Sequence, residues 1–293
     1  MRRLYLTGAD GMLGSALTDV LATDPRTADW VTHGVSREDF DIADRAAVTE
    51  SITAFGPDLV VHAAAHAIVD DCEADPRLAM RVNVTGTHNV AAACRLSAAR
   101  LVYLSSDYVF DGATPPVGGY READTPSPLS VYGLTKLAGE RISQSVPEHL
   151  VVRTSWLFGG ADECTDTVLA TIHQALQGAT SELIEDQFSC PTYTRDLAGA
   201  LVFLFARGVA GTVHVANAGT ASWYQVARVA LEAYDATLPA DVTPVALADM
   251  PFLGGRPRDS SLNTGLLASL GHVMPHWTDA VARFSRQLRT LHS

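Results

Sequence analysis

The chain has 293 residues and a formal net charge of −12, from 21 Lys and Arg against 33 Asp and Glu. Hydrophobic residues make up 47% and charged residues 18%, enough apolar material for a sizeable core, which excludes global disorder. The acidic balance repels a polyphosphate backbone and argues against nucleic acid, though not against one small anion in its own pocket. At about 100–200 residues per domain the length allows two domains or one large one. No apolar run reaches the ~18 residues of a membrane span, and the stretch after Met1-Arg2-Arg3 is too short for a signal peptide, so no membrane contact and a cytoplasmic location are the expectation. Cys72, Cys94, Cys164 and Cys190 form no CxxC and sit beside no histidine at ligand spacing, so they read as reduced thiols. His62 and His66 flank a strand end rather than a helix face, and no metal is expected.

Along the chain, short apolar strands alternate with helical runs. Arg3–Leu6 reads as a strand, Met12–Ala22 as a helix with Leu13, Ala16, Leu17, Val20 and Leu21 on one face, and Trp30–Val35 as a strand. Ala46–Phe55 follows as a helix stopped by Gly56-Pro57. Leu59–His62 is apolar on both faces, as a buried parallel strand requires. A long helix over Asp75–Ala98 precedes a strand at Leu101–Leu104. Asp111–Pro128 is a long irregular segment rich in proline and glycine, and such loops are usually functional or mobile. Leu129–Ser145 is helical and Leu150–Val152 again a strand. Strands joined by helical crossovers imply βαβ units and a parallel sheet. The fold class is therefore α/β: a Rossmann-like doubly wound parallel sheet with a smaller C-terminal α/β substrate-binding lid. The dinucleotide-binding domain is placed at residues 1–156 and the mainly substrate-binding domain at 157–293, with late strands near 183–216 rejoining the first. In the second half, Thr165–Leu176 reads as a helix, Leu183-Ile184 and Val213–Val215 as strands, and Ser222 as the cap of a helix over Trp223–Tyr234. Leu238–Pro251 is broken by prolines with little periodicity, and a last helix runs from Trp277 to about Leu291.

Thr7-Gly8-Ala9-Asp10-Gly11-Met12-Leu13-Gly14 joins the first strand to the first helix. Gly8 permits a tight turn, Gly11 lets the backbone approach a pyrophosphate, and Gly14 lets the helix pack close to the sheet, while the helix start offers free N–H groups to phosphates. The spacing is GxxGxxG rather than GxGxxG, and its place in a βαβ unit at the chain start makes it a dinucleotide signal. At the end of the second strand, Ser36 and Arg37 stand where an acid would favour NAD. A hydroxyl and a guanidinium suit the extra phosphate of NADP, so NADPH is the expected cofactor, with NADH a weaker substitute. The alternative makes Arg37 a surface charge paired with Glu38 or Asp39. Asp41 and Ile42 fall near the adenine, and Ala63-Ala64-Ala65 ends the third strand with side chains small enough for a dinucleotide to pass.

Ser106 ends a strand, and Tyr132 and Lys136 are four residues apart, so they share a helix face. Free tyrosine titrates near about 10, and a neighbouring ammonium with an oxidised nicotinamide would bring the phenol toward working range. Ser106 can hold a substrate oxygen against that phenol.

On TGADGMLG (7–14), DFDIAD (39–44), HAAAHAIVDDCE (62–73), NVTGTHNVA (83–91), LSSDYVFDG (104–112), Tyr120 to Lys136, RTSWLFG (153–159), EDQFSCPT (185–192), SWYQVA (222–227) and RPRDSSLNT (256–264), the chain resembles the dTDP-4-dehydrorhamnose reductase family of extended short-chain dehydrogenase/reductases. The resemblance implies Ser106, Tyr132 and Lys136 as the catalytic trio, with Tyr132 and Lys136 also reaching the cofactor. It places Asp107, Tyr108 and Trp156 at the nucleotide-sugar substrate, with a purely core role as the alternative for Trp156. Arg256 and Arg258 are the expected partners of the diphosphate, the alternative being surface pairing with Asp259. Three departures stand out. His66-Ala67 replaces the family's common Tyr-Thr, Gly160-Ala161-Asp162-Glu163 replaces GNNF, and Ala16 and Arg195 replace the glutamates of magnesium-bridged dimers. A monomer or weak homodimer is expected.

The resulting expectation is NADPH-dependent reduction of a dTDP-4-keto-6-deoxy-L-hexose. The rivals are a reductase or epimerase of another nucleotide sugar, and a non-catalytic binding subunit such as the family's regulatory subunit of methionine adenosyltransferase.

Overall fold

Alternation within the central strands decides the architecture, because each of these buries both of its faces. In the computed structural model, which describes residues 1–237 and 241–292, the first half builds β1 (Arg3–Thr7), α1 (Met12–Thr23), β2 (Val31–Val35), α2 (Arg45–Phe55) and β3 (Leu59–His62). It continues with α3 (Val69–Ala74), α4 (Pro76–Ala79), α5 (Thr87–Leu96), β4 (Arg100–Ser106), α6 (Val131–Ser143) and β5 (His149–Thr154). Leu4, Leu6, Val61, Val102 and Val152 face one core, shared with Leu13 and Leu17 of α1. Tyr5, Val60 and Leu101 face the opposite core, closed by Val48 and Ile52 of α2 and Val90 of α5. This is the two-sided burial that parallel sheets require.

The second half adds β6 (Leu157–Phe158), α7 (Thr167–Leu176), β7 (Ser181–Ile184), β8 (Thr192–Tyr193), α8 (Thr194–Ala206), β9 (Gly211–His214) and α9 (Trp223–Tyr234). The chain then forms β10 (Val242–Val245), α10 (Gly265–Ser269) and α11 (Trp277–His292). The main sheet runs β2-β1-β3-β4-β5-β9, with all of its pairs parallel. The strand order reverses between β1 and β3, which opens a crevice at their C-terminal ends where ligands of such sheets bind. β4 outruns β3: His62 pairs with Tyr103, and Ser105 and Ser106 pair onward with Arg153 and Thr154. The end of β4 therefore extends past β3 while still paired with β5.

Of the two late strands, β9 joins the sheet beside β5. β7 does not; it pairs with β10 in a separate ribbon. β10 and a short 3-10 turn at Leu247–Asp249 replace most of the irregular segment expected at Leu238–Pro251, whose residues 238–240 lie outside those described. Helix α8 was given no element by sequence periodicity. It is apolar almost all round, with Leu197, Leu201, Leu204 and Phe205 in the first core, so no polar stripe marks its period. The long helix expected over Asp75–Ala98 exists, but residues 80–86 are π-helical. The smaller lobe packs α7, α9 and α11 around Phe158, Ile172, Val226, Trp277 and Phe284. Ser222 caps α9 in a full capping box with Gln225, as its position predicts.

Two buried histidines carry a pH consequence. His62 hydrogen-bonds Thr7 and Thr87 at 2.7 and 3.0 Å. Burial, reinforced by Lys136, pushes its imidazole down to about 3, and burial with Arg153 does the same to His214. The unfolded chain binds protons at these sites near about 6.5 while the folded chain does not, so stability falls as pH drops below that value. Urea midpoints should decline from about pH 7 to 5, and the decline should be shallower in His214→Gln. Equal slopes in the two proteins would contradict this.

Candidate active site

The glycine turn lies at the crevice. Gly8 has φ +71°, and a Cβ there would lie 2.8 Å from the Ala64 amide nitrogen, so both conformation and contact exclude a side chain. Gly14 is tighter: its Cβ would sit 2.0 Å from the Gly8 carbonyl oxygen. It therefore seats α1 against its own preceding turn, not against the sheet as expected. Gly11 is the N-cap of α1 and contributes no side-chain hydrogen bond. The first N–H groups of α1 thus open toward a cavity of about 1330 Å³ lined by Gly8, Asp10, Gly11, Met12, Leu13 and Gly14. Such a terminus favours anions. Ala63 and Ala65 line the same cavity, whereas Ala64 turns into the contact with Gly8.

Ser36, Arg37, Asp41 and Ile42 are absent from that wall. They follow edge strand β2 on open surface. Ser36 is engaged with Asp39, its Oγ 3.3 Å from Oδ2. Asp41 pairs with Arg81, and Ile42 packs on the second core. Arg37 is exposed and forms no ion pair with Glu38 or Asp39 among the described residues.

Ser106, Tyr132 and Lys136 meet on one wall of the cavity. α6 is seated by its Ser130 cap, which accepts from Gly133 N at 3.1 Å, and by Gly133, whose Cβ would lie 2.2 Å from the Tyr108 carbonyl oxygen. Tyr132, Lys136 and Glu140 then share the inner face at four-residue intervals. The Lys136 ammonium sits 4.6 Å from the Tyr103 ring centroid. Burial pushes it down to about 8, against the pull of Glu140. Burial raises the Tyr132 phenol well above its ordinary range, opposed by a hydrogen bond with Ser106. The sequence expectation is a phenol brought toward working range by Lys136 together with an oxidised nicotinamide. The protein's own groups act the other way and hold Tyr132 protonated, because desolvation of the anion dominates.

Asn83, which sequence reasoning left without a role, sits in the π-helical stretch. Its Oδ1 accepts from His66 N at 2.7 Å, and its Nδ2 donates to His66 O and to Thr135 Oγ1, both at 2.9 Å. It thereby ties the chain after β3 to the residue before Lys136. π-helical turns recur at functional sites.

The substrate-side residues divide. Tyr108 lines the cavity and meets Tyr132 edge-on, with centroids 5.8 Å apart. Trp156 also lines it and is no core residue. It holds φ +42°, a costly conformation for a bulky side chain, and stacks on Trp223 at 4.6 Å and 5°. Trp223, at the start of α9, is a second aromatic wall that the sequence reading left inside a quoted stretch. Arg256 lines the cavity mouth, 3.1 Å from Asp70 and over the Phe252 ring. Arg258 does not line it: the backbone of 258–260 is pinned to Phe188, and the side chain is left exposed outside. Neither arginine pairs with Asp259. Asp107 lines the cavity, but its carboxyl oxygens already hold serine hydroxyls. Ala16 and Arg195 both face the cavity, and neither a methyl nor a guanidinium can ligate a hard cation, which takes oxygen ligands.

Comparison with known proteins adds three findings. The family described as RmlD substrate binding domain matches residues 1–290. The chain is 38% identical over 288 residues to a dTDP-4-dehydrorhamnose reductase of Mycobacterium tuberculosis, covering 96% of this chain and 91% of the relative. It is 34% identical to a dTDP-4-keto-6-deoxy-D-glucose reductase of Streptomyces niveus, covering 96% of each. Among solved structures, a dTDP-4-dehydrorhamnose reductase from Bacillus anthracis in complex with NADP superposes with a TM-score of 0.89 at 32% identity, covering 97% of this chain and 99% of that one.

The glycine geometry is directly testable. Gly14→Ala should destabilise the protein by roughly 1–3 kcal/mol through overpacking against the turn. Gly11→Ala should cost clearly less, since its Cβ would approach Gly8 O only to 3.3 Å. Urea unfolding of the two variants checks this, and equal costs would refute the assignment of Gly14 as the packing glycine.

Proposed function

The chain belongs to the RmlD substrate binding domain family, and from that premise we propose that it is an NADPH-dependent reductase of a nucleotide-linked 4-keto-6-deoxyhexose, of the dTDP-4-dehydrorhamnose type. The observation that carries this reading is the convergence of Ser106, Tyr132 and Lys136 with the glycine turn in a single cavity.

The cofactor fits the residues present. The Gly8–Gly14 turn leaves no room for side chains where it packs on the Ala63–Ala65 segment, and the uncapped α1 N-terminus suits a pyrophosphate. Gly8, Asp10, Gly11, Met12, Leu13 and Gly14 would hold the diphosphate, Ser36 and Arg37 the adenosine phosphate, and Tyr132 and Lys136 the nicotinamide end. When bound, the reduced nicotinamide supplies a hydride to the sugar carbonyl carbon. Ser106 hydrogen-bonds the carbonyl oxygen. Tyr132, held protonated by its surroundings, gives its proton to that oxygen as negative charge develops there, a donation that becomes favourable only in the transition state. Lys136 positions the phenol and can replace the lost proton, since its affinity of about 8 lies close to neutrality. The Trp156–Trp223 shelf offers a flat apolar wall to the sugar, and Arg256 a cation to the diphosphate at the mouth.

Tyr132→Phe should still quench or bind NADPH while turnover falls about 10²–10⁴-fold; near-native turnover would remove Tyr132 from the mechanism. NADPH should bind more tightly than NADH in a fluorescence titration, with the gap narrowed by Arg37→Ala, which loses the guanidinium offered to the phosphate. No change on Arg37→Ala would leave Arg37 a surface charge. A dTDP-linked 4-keto sugar should exceed the free sugar in kcat/KM by orders of magnitude, because remote binding energy positions the carbonyl. Similar values would move the function to a simpler ketone.

A further inference from the structure

Among the described residues, buried side-chain polar atoms of Ser97, Arg100, Ser143, Thr154, His214 and Ser285 have no hydrogen-bond partner. Of these residues only Thr154 lines the cavity. It is the last residue of β5 and is 6% exposed. A buried hydroxyl without a partner costs free energy, a cost that a ligand group in the cavity would remove.

Strand geometry places that hydroxyl. Thr154 is the register partner of Ser106 on β4. Val152 of β5 and Leu104 of β4 face the core shared with Leu13 and Leu17 of α1. Side chains alternate along a strand, so two residues on, Thr154 and Ser106 continue that same face, on neighbouring strands about 4.8 Å apart. The other hydroxyls nearby are engaged. Ser106 has partners in Asp107 and Tyr108 N. Ser105 points to the opposite face and Glu140. Ser155 is taken up by Asp107 and Ser189. Thr154 thus brings to the catalytic end of the sheet a hydroxyl that the protein itself does not use.

The reaction decides what lies over it. In the reductase reading Ser106 and Tyr132 meet the carbonyl oxygen. The hydride leaves the nicotinamide carbon next to the one that bears the carboxamide, and reacting atoms approach to roughly 3–3.5 Å. The carboxamide is therefore held within about one strand spacing of the carbonyl oxygen. On the α1 side, where Met12 and Leu13 also line the cavity, the free group at that spacing is Thr154. Its hydroxyl can donate to the carboxamide oxygen or accept from the carboxamide N–H.

We infer that the Thr154 hydroxyl hydrogen-bonds the carboxamide of the nicotinamide and so fixes the rotation of the ring beside Ser106; this rests on the reductase reading, in which a nicotinamide faces a carbonyl held at Ser106. Thr154 is then a cofactor-binding residue that no glycine-turn or serine–tyrosine–lysine pattern marks.

The test pairs stability with binding on the full chain. Thr154→Val keeps the outline of the side chain and removes the hydroxyl, whereas Thr154→Ser keeps the hydroxyl. Without cofactor, Thr154→Val should unfold in urea at or above the wild-type midpoint, because it removes an unpaired buried group. In a fluorescence titration without substrate, its Kd for NADPH should rise on the order of 2–10-fold, the effect of one net hydrogen bond. Thr154→Ser should bind NADPH as wild type does. Phosphorylated ADP-ribose, the cofactor without its nicotinamide, should bind wild type and Thr154→Val equally. A Thr154→Val protein less stable than wild type, or unable to fold, would give the hydroxyl an internal role and overturn the inference. So would an unchanged Kd for NADPH, with a raised KM for the dTDP-sugar assigning the hydroxyl to the sugar instead. Equal weakening of NADPH and phosphorylated ADP-ribose would also overturn it. Should wild type bind NADPH yet fail to reduce a dTDP-4-keto sugar, the reductase reading falls alone, and the titrations still decide on Thr154. Should wild type fail to bind NADPH, both fall.

Discussion

The buried pair between Arg153 and Glu140 is the interaction on which the catalytic wall depends. Arg153 donates from Nε and Nη2 to the two carboxylate oxygens, both at 2.8 Å, and Ser105 adds a third donor at 2.6 Å. The side chains are 5% and 1% exposed. Removing either partner strands a charge in the interior, a loss of about 3–5 kcal/mol. The pair joins α6 to β4 and β5 at once, and because Glu140 lies four residues beyond Lys136 and eight beyond Tyr132, fixing it fixes the rotation of the whole inner face of α6. It also explains the state of Lys136. The Glu140 carboxylate is already answered by Arg153, so little of its field is left to hold a second cation, and burial prevails.

A second constraint joins the lobes. The serines around Asp107 come from the end of β4, the end of β5, the segment before β8 and the segment before α10. Hydroxyls from both halves of the chain therefore converge on one carboxyl. The Trp156–Trp223 stack spans the same seam, since Trp156 follows β5 and Trp223 opens α9. The site is thus assembled by the closure of the second half on the first.

Legibility in the sequence followed the kind of signal available. Strands and helices with a solvent face or a clear terminus, such as α2 between Asp44 and Gly56 or α9 with its Ser222 cap, could be placed by period and cap. α8 could not, because an all-apolar helix has no contrast between its faces. Tyr132, Lys136 and Ser106 were visible as residue types at a meaningful spacing, and the structure brings them to one wall. Which way the Tyr132 proton affinity shifts was not visible, because it depends on how much water burial removes. Arg256 and Arg258 looked equivalent two residues apart, and only the pinning of 258–260 to Phe188 separates them. Two of the four serine partners of Asp107 are 82 and 153 residues distant in sequence, beyond any local pattern.

The short helix α3 links the mouth of the site to its catalytic helix. Asp70 accepts from the backbone N–H groups of Leu253 and Gly254, both at 3.0 Å, and pairs with Arg256. One turn on, Glu73 accepts from Val131 N at 2.7 Å, the residue before Tyr132. The strap at 253–256 and the first turn of α6 are therefore held by two carboxylates of one helix. The two backbone bonds and the ion pair differ in kind. Asp70 lies at the rim with its side chain 31% exposed, while that of Arg256 is 11% exposed. The Leu253 and Gly254 bonds hold the strap independently of the Arg256 side chain. The net charge of −12 thus does not set the field at the mouth. Locally, the Arg256 guanidinium lines the cavity mouth between Asp70, the Gly254 carbonyl and the Phe252 ring, so a positive charge stands there despite the acidic balance of the whole chain.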